Sequence, residues 1–223
     1  MKSMKSLIAA VSFIAAAAAL NATPINYLAS ADGSAATADY SFSATGGSLQ
    51  TGTKNGVTFL GVSGGETKPE IDGGQSLTVW FTEPQRLASL TLVLLFNGPE
   101  YGDTGEIAAA FTSGGDLYEL RVIGENDGEW YRNNVKVADL TTDAGNANNT
   151  QLGKAGKWTV LNPFGYSTVD SFTLYPIDNT PAGDDGSDFG LFAFSTVPDA
   201  GSTLALMGVA LIGLAGFARR SRR

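Results

Sequence analysis

Asp184, Asp185 and Asp188 lie close together in the chain around Gly186 and Ser187, with Asp178 and Asn179 just upstream. Carboxylate and amide oxygens on a glycine-containing turn are the donor set that Ca²⁺ prefers. The spacing lacks the closing Glu of a helix-flanked calcium loop, so a solvated acidic turn is the alternative. Glu100-Tyr101-Gly102-Asp103 and Glu125-Asn126-Asp127-Gly128-Glu129 repeat the pattern and carry the same two readings. Paired carboxylates also hydrolyse glycosidic bonds, but no pair is singled out among so many acids.

The aromatic residues offer a second chemistry. Trp80, Trp130 and Trp158, with Tyr118, Tyr131 and Tyr166, are candidates for a surface on which the apolar faces of sugar rings stack. Trp130-Tyr131, beside the polar pair Asn133-Asn134, is expected to be the exposed pair. Trp158, next to Thr159-Val160, is expected in the core.

Other chemistry is closed by composition. The chain has no Cys and no His. Disulfides, the usual zinc ligand sets and imidazole-served Ser or Cys nucleophiles are therefore absent. The expectation is a domain that is not an enzyme and needs no cofactor, structural Ca²⁺ being the one exception.

The two ends give the organisation. Lys2 and Lys5 precede an apolar run from Leu7 to Leu20 that closes on Asn21-Ala22. This is the pattern of a secretory signal peptide, residues 1–22, cut after Ala22 or at the competing Ala17-x-Ala19 site; an uncleaved N-terminal anchor is the other reading. At the far end stands the box Val197-Pro198-Asp199-Ala200-Gly201-Ser202-Thr203. An uncharged apolar helix is expected over 204–218, followed by Arg219-Arg220-Ser221-Arg222-Arg223. The uncharged stretch after Asp199 would span about 28 Å as a helix, close to the thickness of a bilayer's hydrocarbon core. Arg219, Arg220, Arg222 and Arg223 would stop it at the cytoplasmic face. Pro198 and Gly201 keep the box extended and open to an enzyme.

That order of box, apolar helix and arginine cluster resembles the PEP-CTERM class of bacterial sorting tails, in the variant whose box reads Val-Pro-Asp-Ser-Gly-Ser-Thr; the departure is Ala200. The resemblance covers residues 197–223. It implies processing by an exosortase-type membrane enzyme after passage through the secretion machinery. It also implies delivery to the cell surface or to an exopolysaccharide matrix.

Between the ends, residues 23–196 form one exported domain. They carry 21 acidic and 8 basic side chains, a net charge of −13. So acidic a domain does not bind nucleic acid. Short apolar runs punctuated by Gly, Asn, Asp and Pro predict nine to eleven strands from Val57 onward. Leu77, Val79 and Phe81 share one face of the strand over Ser76–Thr82. Turn signals stand at Ser113-Gly114-Gly115, Asn126-Asp127-Gly128 and Asn162-Pro163. The segment from Thr23 to Gly47 reads as a loose leader or an edge strand. The fold class expected is all-β, a single β-sandwich or jelly-roll-like domain. Its pattern, including Ser187-Asp188-Phe189-Gly190-Leu191, is similar to carbohydrate-binding sandwich domains. The function expected is that of a non-enzymatic surface or extracellular-matrix protein, structural or adhesive in exopolysaccharide. A carbohydrate-binding lectin and a secreted glycoside hydrolase are the alternatives.

Overall fold

Alternation of apolar and polar residues dominates the central segments, and it becomes strand structure throughout. The computed structural model describes residues 25–29, 37–65, 69–97, 105–142, 155–177 and 187–197. Among them there are thirteen strands and no helix, so none is long and apolar enough to cross a membrane. The expected signal peptide and the apolar segment 204–218 lie outside the described residues.

The strands are β1 (Asn26–Leu28), β2 (Tyr40–Thr45), β3 (Ser48–Lys54), β4 (Val57–Ser63), β5 (Ser76–Gln85), β6 (Leu87–Val93) and β7 (Ile107–Thr112). They continue with β8 (Leu117–Val122), β9 (Asp127–Arg132), β10 (Val135–Thr141), β11 (Trp158–Leu161), β12 (Val169–Pro176) and β13 (Gly190–Thr196). Every pairing is antiparallel, and two sheets result. One runs β11-β6-β13-β4-β3, with β1 also against β13; the other runs β10-β9-β8-β7-β12-β5-β2. The chain passes back and forth between them, so β5, β7 and β12 lie in one sheet while β4, β6, β11 and β13 lie in the other. Asn26–Thr196 makes one compact unit.

The two sheets meet through their inward side chains. Leu77, Val79 and Phe81 point inward from β5, as their spacing predicts. Phe194 of β13 meets Phe81 and Phe172 of the opposite sheet edge-on, with centroids 5.6 Å and 6.1 Å away. Tyr40 of β2 closes the same cluster at 5.3 Å. Edge-to-face rings at these distances pair the positive rim of one with the negative face of the other. Losing one, as in Phe172→Ala, costs about 3–5 kcal/mol. Trp158 is buried, and its indole N–H donates to the Leu95 carbonyl at 2.9 Å.

Two hairpins have the turn chemistry that strand twist demands. Asn55 and Gly56 join β3 to β4 with φ of 53° and 80°, and Asn133 and Asn134 join β9 to β10 with φ of 48° and 66°. Successive positive φ values match a type I′ turn. The turn expected at Asn126-Asp127-Gly128 falls at Gly124-Glu125-Asn126, because Asp127 and Gly128 already pair with Thr141 and Leu140.

Candidate functional site

Strands β10 and β11 are the edges of different sheets, and between them lies a groove of about 630 Å³. Its walls are β10 from Val137 onward, Thr159 to Leu161 of β11, and the turn Asn162–Ser167. Val137 stands where the β9–β10 register slips between Lys136 and Ala138. Such a bulge re-aims a side chain that would otherwise keep to the alternation, and Val137 is accordingly exposed on the groove.

The turn is rigidly held. Asn162 and Gly165 adopt left-handed φ values of 46° and 64°, conformations natural to Asn and Gly. The Gly165 N–H donates to the Asn162 carbonyl at 2.9 Å, and the Asn162 N–H donates to Ala88 at 2.8 Å. Phe164 is buried, its ring 5.1 Å from Tyr118 and 5.5 Å from Phe172. Tyr166 then projects with 88% of its surface exposed. The Arg86 guanidinium sits 4.5 Å from its ring centroid and donates to Asn162 Oδ1 at 3.3 Å.

Trp130 is not the exposed ring its neighbours suggested. It is 2% exposed, stacks on Tyr118 at 5.7 Å, and donates its indole N–H to the Pro163 carbonyl at 2.8 Å. A buried ring has no free face for a sugar, so the stacking role falls away at Trp130. The reason is strand parity: Trp130 shares the inward face of β9 with Gly128. Tyr131 faces the opposite way, covered by the Arg121 guanidinium 3.9 Å from its ring centroid, with its hydroxyl on Glu129.

Charged groups lining the groove are already paired. Arg132 meets Asp116 at 2.8 Å, and Asp139 meets Lys136 at 2.8 Å. Hydrogen bonds from Arg132 and Asn133 hold the Asp116 carboxyl below its ordinary range. The groove therefore offers hydroxyl, amide and apolar surface with its charges compensated.

A second cluster of acids lies beneath the bridge that joins Ile71 to Phe189. Antiparallel pairing puts Glu70, Asp72 and Asp188 on the face opposite Ile71 and Phe189, and all three are buried. Lys54 Nζ donates to Glu70 Oε1 at 2.9 Å, and the Asp188 carboxyl lies within hydrogen-bonding reach of Glu70. Burial foremost, and then the Asp188 carboxyl, push Glu70 up to about 9 against the pull of Lys54. Of the calcium candidates, Asp188 is in this cluster; Asp184 and Asp185 lie outside the described residues. Among the described residues no group of three or more potential ligands is placed to hold a metal ion. Nothing local to Pro69-Glu70 marked it in the sequence, since its partners are distant in the chain.

Of the box, Val197 follows directly on β13; Pro198, Asp199, Ala200, Gly201, Ser202 and Thr203 lie outside the described residues, as do the four terminal arginines. Residues 196–221 match the family model of the VPDSG-CTERM motif, a sorting signal of the PEP-CTERM type. The motif points to an exported protein handled by an exosortase-type system. No curated protein and no solved structure matches the chain.

Proposed function

We propose that this is a non-enzymatic exported protein, anchored by its C-terminal segment, processed there by an exosortase-type enzyme, and delivered to the cell surface or an exopolysaccharide matrix. The match of residues 196–221 to the VPDSG-CTERM motif carries the reading. The absence of His and Cys from the sequence supports a structural or adhesive role over a catalytic one. The fold we read as a jelly roll: β4-β13-β6-β11 faces β5-β12-β7-β8, the order of two interlocked Greek keys. The β9–β10 hairpin and the edge strands β2 and β3 extend it.

The test is the intact mass of the protein recovered from its host's envelope and medium. The expected mass lacks residues up to about Ala22 and the segment beyond the 197–203 box. A mass that retains Leu204 to Arg223 overturns the proposal. A lectin-like role is the second reading, favoured by the exposed Tyr166 ring at the groove.

A further inference from the structure

We infer that the groove between β10 and β11 binds a neutral polysaccharide chain, with Tyr166 as the ring on which one sugar stacks. The inference rests on the matrix reading above and supplies its site. Four observations converge.

The volume, about 630 Å³, falls within the usual range of ligand pockets, about 300–1,000 Å³. Tyr166 is 88% exposed, with Arg86 against one side of the ring and itself bonded to Asn162. The opposite face of a flat ring is what the C–H face of a sugar packs against. A ring braced before binding loses less freedom on binding. The backbone beneath it is fixed by Phe164 in the core and Trp130 on the Pro163 carbonyl.

Polar groups surround this ring. Thr141, Asn162 and Ser167 supply hydroxyl and amide groups to the groove, suited to sugar hydroxyls. Of the charged groups that line the groove, Arg132 is paired with Asp116 and Asp139 with Lys136. Arg86, behind Tyr166, has no carboxylate in reach among the described residues and spends its guanidinium on the ring and on Asn162 Oδ1. The net charge of −13 on residues 23–196 repels an anionic polymer. A neutral chain escapes that repulsion. Among the described residues Asp139 is the single carboxylate in the groove lining. Glycosidic hydrolysis needs two, and this lining supports binding.

The experiment is native gel electrophoresis of the mature protein, purified from its host, in gels containing laminarin, dextran, hydroxyethylcellulose, glucomannan or alginate. The expected result is retardation by at least one of the four neutral polymers and none by alginate. Tyr166→Ala should weaken that binding about tenfold, the order of one well-placed aromatic contact. Tyr166→Phe should keep most of it. Trp80→Ala should leave it unchanged, since Trp80, 50% exposed, projects from the outer face of the other end of its sheet. Retardation by none of the neutral polymers, or by alginate alone, overturns the inference. So does equal binding by wild type and Tyr166→Ala, or loss with Trp80→Ala alone. Those last results would leave contact with polysaccharide standing and move it off the groove, and the mass test of the tail is independent of all of them.

Discussion

The indole N–H of Trp130 donates to the carbonyl of Pro163 at 2.8 Å, both groups buried. Through this bond β9 of one sheet holds the turn that follows β11 of the other. The bond lies beneath the groove, so the aromatic residue that looked like a ligand platform instead fixes the turn that presents Tyr166.

Trp130→Phe tests that relationship. Phenylalanine keeps most of the ring packing against Tyr118 but leaves the Pro163 carbonyl without its donor. The expected loss is about 1–3 kcal/mol, the cost of a stranded buried acceptor. Trp130→Ala adds a cavity and should lose about 3–5 kcal/mol. Urea unfolding reads both, and a Trp130→Phe variant as stable as wild type would show that packing alone holds the turn.

The buried acid beside Lys54 predicts a pH dependence of definite sign. Glu70 has an ordinary value of 4.5 and is pushed up to about 9 in the fold, by burial first and by Asp188 next. Between those values the folded state keeps a proton that the unfolded chain has released. Folding then takes up a proton, and stability falls as pH rises through this window. Glu70→Gln keeps an acceptor for Lys54 and cannot ionise. The variant should gain on wild type in thermal midpoint as pH goes from 5 to 9. Asp116 and Glu129 are both held low and act in the opposite sense below this window. A constant difference between variant and wild type across the range would remove Glu70 from the account.

Strand parity was legible where a segment had one buried face. Leu77, Val79 and Phe81 announced β5 because solvent and core alternate along it. β3, Ser48-Leu49-Gln50-Thr51-Gly52-Thr53-Lys54, has one large apolar residue and no pattern to read, since it is an edge strand exposed on much of its surface. The segment Thr23 to Gly47 reads as leader or edge strand, and β2 within it is the edge of the seven-stranded sheet. The groove was not legible. It depends on β10 and β11 being brought together from different sheets, and on a one-residue bulge at Val137 that no local composition marks. Asn162-Pro163 was recognisable as a turn, but that it would present Tyr166 and bury Trp130 follows from long-range packing.

Gly61 on β4 makes a sharper mutational test than most glycines. A Cβ built there would stand 1.8 Å from the Pro69 carbonyl oxygen. Backbone rather than a flexible side chain blocks it, so the segment carrying Glu70, Ile71 and Asp72 must move. Gly61→Ala should cost about 1–3 kcal/mol by overpacking and should loosen the Lys54–Glu70 pair, lessening the pH effect above. Gly114→Ala is the control: its nearest neighbour, Thr112 Oγ1, is 3.7 Å away, and stability should change little. Equal denaturation midpoints for the two variants would mean that the Pro69 segment yields freely.

The tail gives the last prediction, and β13 sets its terms. That strand lies inside its sheet, with β6 on one side and β4 and β1 on the other, and Thr196 at its end is buried. The box begins at the next residue, so no spacer separates a strand anchored on both edges from the box. If the box is what the processing enzyme reads, as proposed above, it reads only the few residues after Thr196. Pro198 is suited to this: it fixes φ and carries no N–H, so it cannot extend the ladder of β13. Asp199 supplies the box's one charge. Replacing both, Pro198→Ala with Asp199→Ala, should leave removal of residues 1–22 intact and block processing of the tail. The variant should accumulate in the membrane fraction with Leu204 to Arg223 still attached, as read by intact mass. A variant matured like the wild type would show that the enzyme reads the apolar segment and the arginines without the box.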